Sequence, residues 1–345
     1  MLTREGVPLA PLTTLRVGGP ARRLVTAYDE AEVVEAVLAS ARVPLLVLGG
    51  GSNVLVSDEG FDGTVVKVAS HGLSATRDGD DVLLTAQAGE DWDALVAHAV
   101  GEGLSGLEAL SGIPGLVGAT PIQNVGAYGT DTAAVVERVR ALDRTSRRVV
   151  ELSAKQCAFG YRTSRFKLDE GRWVVQAVTY RLTPDPLGGP VRYAELAAAL
   201  GVPLEGRAPL AQVREAVLRL RRAKGMVVDE RDPDSRSAGS FFTNPVVDDA
   251  ELAQLVAEVG EVPGHQDALG RTKLSAAWLI ERAGFRKGHG DGPAGLSGKH
   301  VLALVNRGGA TSEQLLEVAR EVRDGVRAQL GIDLVPEPVL VGAAL

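Results

Sequence analysis

The chain has 345 residues, 45% of them apolar and 23% charged, with a formal net charge of −7; it is too long for one ordinary core, and two or three domains are expected. This balance excludes a disordered chain, and the acidic excess argues against nucleic acid as a partner, since polyanion binding rests on Lys and Arg. No run reaches the roughly 18 apolar residues of a membrane span, the start lacks an export pattern, and the lone Cys157 excludes a disulfide or cysteine-built metal site, so a cytoplasmic monomer without membrane partners is expected.

In chain order, Asp29 opens a helical run through Arg42, with Glu32 placed for a capping box. The apolar run Leu45–Leu48 reads as a strand that ends abruptly in Gly49-Gly50-Gly51-Ser52-Asn53. Further strands are expected at 65–68 and 82–86, then a helix from Asp91 to about Glu102. Residues 111–129 are glycine-rich, poor in charge and without helical or strand period, which suits backbone packed closely against something. Strands follow at 135–142, 147–152 and 173–182, and a Pro/Gly break spans 184–190. Helices are expected at 193–200, 209–224, 249–259, 275–283 and 312–330, the last capped by Thr311 and Gln314 and ended by Gly331. The charged stretch 229–236 reads as a loop, and 300–306 and 333–341 as strands. The fold class is α+β.

Five segments carry candidate chemistry. In Leu48–Asp58 a strand enters three glycines, which suits either a plain tight turn or backbone N–H groups cradling phosphate. It lacks the G-x-G-x-x-G fingerprint of a nicotinamide-binding unit. Gly112–Gly129 adds two amides, Gln123 and Asn124, among small apolar residues; paired with the first segment, it favours a dinucleotide diphosphate. Phe159–Lys167 interleaves Arg162, Arg165 and Lys167 with aromatics, as on an exposed strand face or at a carboxylate-binding site. Ser237–Pro245 brackets Phe241-Phe242 with Ser240 and Asn244; Ser240 has no nucleophile elbow, and suits either a turn with a satisfied hydroxyl or a proton donor. Glu337, between Pro336 and Pro338, is either an outward edge carboxylate or one held at a site mouth. The histidines show no metal-ligand spacing, so no metal is expected.

With TLRVGG (Thr14–Gly19), these blocks in this order closely resemble the UDP-N-acetylenolpyruvoylglucosamine reductase (MurB) family, in its long-loop type I subclass, from about Thr13 to Gly342. The resemblance implies a two-lobed FAD-binding domain of the vanillyl-alcohol-oxidase type and a C-terminal α/β substrate domain. The implied division is lobe 1 over 1–69, joined by the C-terminal strand near 333–345, lobe 2 over 70–215, and a substrate domain over 216–332. FAD would lie along Gly49, Gly50, Gly51, Ser52 and Asn53, and along Gly112, Gly115, Gly118, Ala119, Gln123, Asn124, Gly126, Ala127 and Tyr128. NADPH would reduce the flavin, which would pass hydride to UDP-N-acetylglucosamine enolpyruvate in peptidoglycan precursor synthesis.

The enolate-like charge that develops needs preorganised stabilisation. Arg162 and Glu337 resemble the family's pair at the substrate carboxylate, and Ser240 its proton donor. Tyr193 resembles a tyrosine that closes over substrate; Lys224 and Asn244 match positions near the diphosphate, assisted by Arg221. This sequence departs from the pattern in a longer, more charged stretch between Lys224 and Ser240, in Thr243 where lysine is common, and in Pro338 where a β-branched residue usually follows the glutamate. Ser297–His300 matches a further block to which no role attaches. Two rivals are an oxidase on the same fold and a non-catalytic nucleotide-sugar-binding module.

Overall fold

The computed structural model describes residues 1–266 and 270–345, and the chain divides into two compact units. The first comprises Met1–Val7, Ala21–Gly51 and Asp62–Ala223; the second comprises Pro8–Pro20, Ser52–Phe61 and Lys224–Leu345. The segments 8–20 and 52–61, expected within the first lobe, thus belong with the C-terminal third.

The first unit contains two sheets. In one, Leu45–Leu48 has the expected bounds and pairs in parallel with Phe61–Val68, Leu46 opposite Val65. Pro20–Ala27 and Leu2–Pro8 extend that sheet beyond Phe61–Val68. In the other, Trp173–Pro184 is flanked by Val136–Asp143 and Asp81–Gln87, all antiparallel, with Arg148–Ser153 and Leu73–Asp78 outside them. Both sheets feed one core, in which Val25 and Val66 join Leu84, Trp92, Val139, Val178 and Tyr180. The helix Glu30–Ala39 is capped by Asp29, whose carboxylate accepts the Glu32 N–H at 2.8 Å. The expected reciprocal bond is displaced by one residue: Glu32 accepts the Tyr28 N–H instead.

In the second unit, Ser237–Ser240, Ala303–Asn306 and Ala294–Leu296 form one antiparallel sheet. The helices Asp249–Val259, Ala276–Arg282 and Ser312–Leu330 share a core with Phe241, Phe242, Leu15 and Leu55. Thr311 and Gln314 form the expected capping box, and Gly331 ends the helix in the left-handed region. The C-terminal strand is shorter than expected, only Val339–Val341, and pairs in parallel with Val54–Val56. Pro336 and Pro338 lack N–H donors, so ladder pairing starts after them and Glu337 precedes the strand. Among the described residues no helix is long and apolar enough to cross a membrane.

Candidate active site

In the first unit the two glycine segments meet. A Cβ on Gly50 would lie 2.8 Å from the Gly115 Cα, so the two backbones approach as only glycine allows. Gly115 also takes a left-handed φ of 122°. This direct contact, between charge-poor peptide segments that present backbone dipoles rather than acidic side chains, fits a dinucleotide diphosphate. Several N–H groups of the second segment are already engaged within the protein. Gly112 donates to Asp93 Oδ1 at 2.6 Å, Gly118 to the Ala88 carbonyl and Ala119 to that of Leu116.

Asn124 is 2% exposed and holds the segment's shape. Its Oδ1 accepts from Ala133 N–H and Thr132 Oγ1, and its Nδ2 donates to Asp131 and to the Gly160 carbonyl. Sequence pattern alone made it a ligand; the partners that fill its amide lie up to 36 residues away.

The Phe159–Lys167 segment is a tight turn followed by the short helix Arg165–Leu168, so the strand-face alternative does not hold. It is fastened to the second glycine segment at three points. Asn124 reaches the Gly160 carbonyl, Ser164 Oγ donates to the Ile122 carbonyl at 2.7 Å, and Arg162 Nη2 donates to the Gly126 carbonyl at 2.8 Å. Arg162 itself has a φ of 52°, in the left-handed region that residues with a Cβ adopt uncommonly and at some cost.

The other end of that glycine segment meets the helix Leu210–Ala223. Tyr128 stacks edge-on against Tyr193, ring centroids 5.5 Å apart, and Tyr193 directly precedes the helix Ala194–Leu200. Tyr193 is 43% exposed, whereas Arg221 is buried. Burial lowers the Arg221 guanidinium to about 10, against the pull of Tyr128 and Asp93. Burial likewise raises the Tyr128 phenol to about 12, opposed by Arg221.

In the second unit the terminal segment and Ser237–Pro245 lie side by side. Phe242 bridges Pro336, the Glu337 N–H donates to the Phe241 carbonyl at 2.8 Å, and Thr243 N–H donates to Val335. Backbone pairing therefore lays the residues directly after Ser240 beside Glu337. Asn53 joins them: its Nδ2 donates to the Glu337 carbonyl, and its own carbonyl accepts from Val339 N–H. Asn244 Oδ1 accepts the Ala276 N–H at 2.9 Å, at the start of the helix Ala276–Arg282. The charged stretch after Lys224 is ordered rather than loose. Ser235 Oγ bonds the Asp229 and Asp232 carbonyls, Lys299 pairs with Asp232 at 2.7 Å, and Gly298 N–H reaches Asp234. The Ser297–His300 block thus acquires a structural partner. Among the described residues no three His, Cys, Asp or Glu side chains form a group able to hold a metal.

Against known proteins, an FAD binding domain description matches residues 21–153, and the description of the UDP-N-acetylenolpyruvoylglucosamine reductase C-terminal domain matches 232–341. The reductase of that name from Thermobifida fusca is 55% identical, the match covering 99% of this chain and 98% of the relative. The chain belongs to the UDP-N-acetylenolpyruvoylglucosamine reductase family. The family's Streptomyces coelicolor member is 52% identical over 98% of this chain and 90% of its own. The crystal structure of the Thermus caldophilus reductase superposes with a TM-score of 0.68 at 28% identity, covering 99% of this chain and all of that one. The fold class is the expected one, α+β with an FAD-binding part and a C-terminal reductase-family domain. The glycine candidates lie within the FAD match; Ser240, Asn244 and Glu337 lie within the C-terminal match; Arg162, Tyr193, Arg221 and Lys224 lie between them.

Proposed function

We infer that this chain is the FAD-dependent oxidoreductase that uses NADPH to reduce UDP-N-acetylglucosamine enolpyruvate to UDP-N-acetylmuramate, a step of peptidoglycan precursor synthesis. The observation that carries this reading is the seam at Gly50 and Gly115, where two glycine segments inside the FAD match lie backbone against backbone. Bound flavin supplies the hydride; the protein supplies position and charge.

The diphosphate is assigned to backbone N–H groups of the two segments, Gly49, Gly50, Gly51, Ser52 and Asn53 in the first and Gly112, Gly115, Gly118 and Ala119 in the second. The second segment, with Gln123, Gly126, Ala127 and Tyr128, lines the rest of the cofactor, and Asn124 keeps that segment in shape. Arg162, oriented by the Gly126 carbonyl, takes the substrate carboxylate and stabilises charge that develops next to it. Ser240 donates a proton to C2, and Glu337 acts beside it, fixed by its N–H bond to Phe241. Tyr193, Arg221, Lys224 and Asn244 serve the UDP portion. Residues 1–69, without 8–20 and 52–61, and 70–215 are proposed as the cofactor lobes and 216–332 as the substrate domain, in a cytoplasmic monomer.

Anaerobic titration tests the reading. NADPH should bleach the flavin absorbance, and the enolpyruvyl UDP-sugar should restore it. Restoration by oxygen alone, with no response to the UDP-sugar, would assign the chain to the oxidases. Ser240→Ala should leave reduction by NADPH intact and slow only reoxidation by the UDP-sugar; equal loss in both halves would remove the proton-donor role.

A further inference from the structure

The Gly112 end of the cofactor segment is held by a charge pair that no motif announces. Asp93, in the first turn of the helix Trp92–Gly101, accepts the Gly112 N–H through Oδ1 at 2.6 Å. The same carboxylate is gripped by the Arg214 guanidinium, Nη1 to Oδ1 at 2.6 Å and Nη2 to Oδ2 at 2.8 Å. Gly112 takes a left-handed φ of 72°, so its backbone cannot relax into an ordinary conformation without losing that bond's direction. Burial opposes the charged form of Asp93, yet the Arg214 fork and the Gly112 N–H outweigh it and hold the carboxyl below its ordinary range. Asp93 is thus an anion at neutral pH, aimed at one backbone N–H.

Arg214 lies in the helix Leu210–Ala223, and Arg221, seven residues on, projects from the same face. Arg221 interacts electrostatically with both Asp93 and Tyr128, at the far end of the cofactor segment. One helix therefore addresses that segment at its start through Asp93 and at its end through Tyr128. Between those points lies Gly115, which meets Gly50.

We propose that the Arg214–Asp93 pair is a positioning device for flavin: it sets the Gly112 backbone, and with it the seam at Gly115 and Gly50, in the geometry that receives the cofactor. This rests on the reading of those segments as the FAD site. Neither residue touches the reacting atoms, so both are positioning residues. A planar fork matched to a carboxylate fixes direction as well as charge, which a lysine cannot reproduce.

The test measures FAD affinity of the full chain, stripped of flavin and reloaded, by quenching of free-flavin fluorescence. Melting of the flavin-free chain is followed in parallel. Asp93→Asn and Arg214→Ala should each raise the FAD Kd by about tenfold or more, the scale of one charge-assisted hydrogen bond, with Arg214→Lys between these and the parent. The visible flavin spectrum of the reloaded variants should shift, and the stabilisation gained on adding FAD should shrink. Variants that lower flavin-free melting but bind FAD with parental Kd and spectrum would reduce the pair to a fold-stabilising contact and overturn the proposal. If Asp93→Asn does not fold, Arg214→Lys alone decides. Parental protein that binds no FAD would defeat the flavin reading itself, an outcome distinct from parental binding with unaffected variants.

Discussion

Arg162 keeps a left-handed backbone at a cost of roughly 1–2 kcal/mol for a residue with a Cβ. What it gains is direction: the turn brings its guanidinium onto the Gly126 carbonyl, which holds the planar fork. Arg162→Lys retains the charge but not the fork. It should raise KM for the UDP-sugar and lower kcat together, by about tenfold or more overall, with NADPH reduction of flavin little changed. Steady-state and half-reaction kinetics check this; a parental KM would mean that the arginine does not meet the substrate. Cys157 supplies a second residue-scale test. It is fully buried, and burial raises its thiol to about 11 with only slight opposition from Arg165. Between the unfolded thiol value and about 11 the folded state holds the extra proton, so stability should fall as pH rises through that window. Below it, native protein should resist thiol reagents that label the denatured chain at once; rapid native labelling contradicts this burial. Asn124 shows where residue-level reading stops. An amide in a glycine-rich segment looks the same whether it meets a ligand or a distant N–H, and only the fold reveals Ala133 as a partner.

Elements with strong internal signals were legible nearly to the residue. Ser312–Leu330 and Asp249–Val259 have their expected bounds because caps and apolar period agree. Leu2–Pro8 and Leu73–Asp78 carry almost wholly exposed residues and so show no alternation, and Pro20–Ala27 is interrupted by Arg22 and Arg23. The first two are set by their neighbours in the sheet rather than by a buried face of their own, whereas Pro20–Ala27 does bury Leu24 to Ala27. Distant capping is equally invisible. Asp58, ending the first glycine-containing block, places its carboxylate on the N–H and hydroxyl of Ser312, adding an anion at the positive end of the longest helix. Asp58→Ala should therefore cost about 1–3 kcal/mol. Urea titration should show a lower midpoint at unchanged slope; an unaltered midpoint would mean that the Thr311 and Gln314 cap suffices alone.

At the scale of the molecule, the chain is not assembled as consecutive beads. Motif order placed the cofactor segments early and Ser240 and Glu337 late, and the units divide the same way except that Ser52 and Asn53 fall in the second. What periodicity could not show is that Pro8–Pro20 and Ser52–Phe61 leave the first unit and complete the second. Val54–Val56 supplies the partner of the C-terminal strand, and Asn306 Nδ2 donates to the Leu15 carbonyl. Leu15, Val17 and Leu55 sit in the second core at 0%, 2% and 0% exposure. Burying three such side chains contributes roughly 5–9 kcal/mol, comparable with the whole stability of an ordinary domain, about 5–15 kcal/mol. A fragment beginning at Lys224 keeps the α-helices Asp249–Val259, Ala276–Arg282 and Ser312–Leu330 yet lacks these three side chains and one strand of its parallel pair. It should therefore give no cooperative melt and poorly dispersed amide resonances. Adding a peptide that spans residues 8–61 should restore part of that dispersion, because it returns both missing segments. A fragment that melts cooperatively by itself would show that the late segment forms its own core and that the early segments are only adornment.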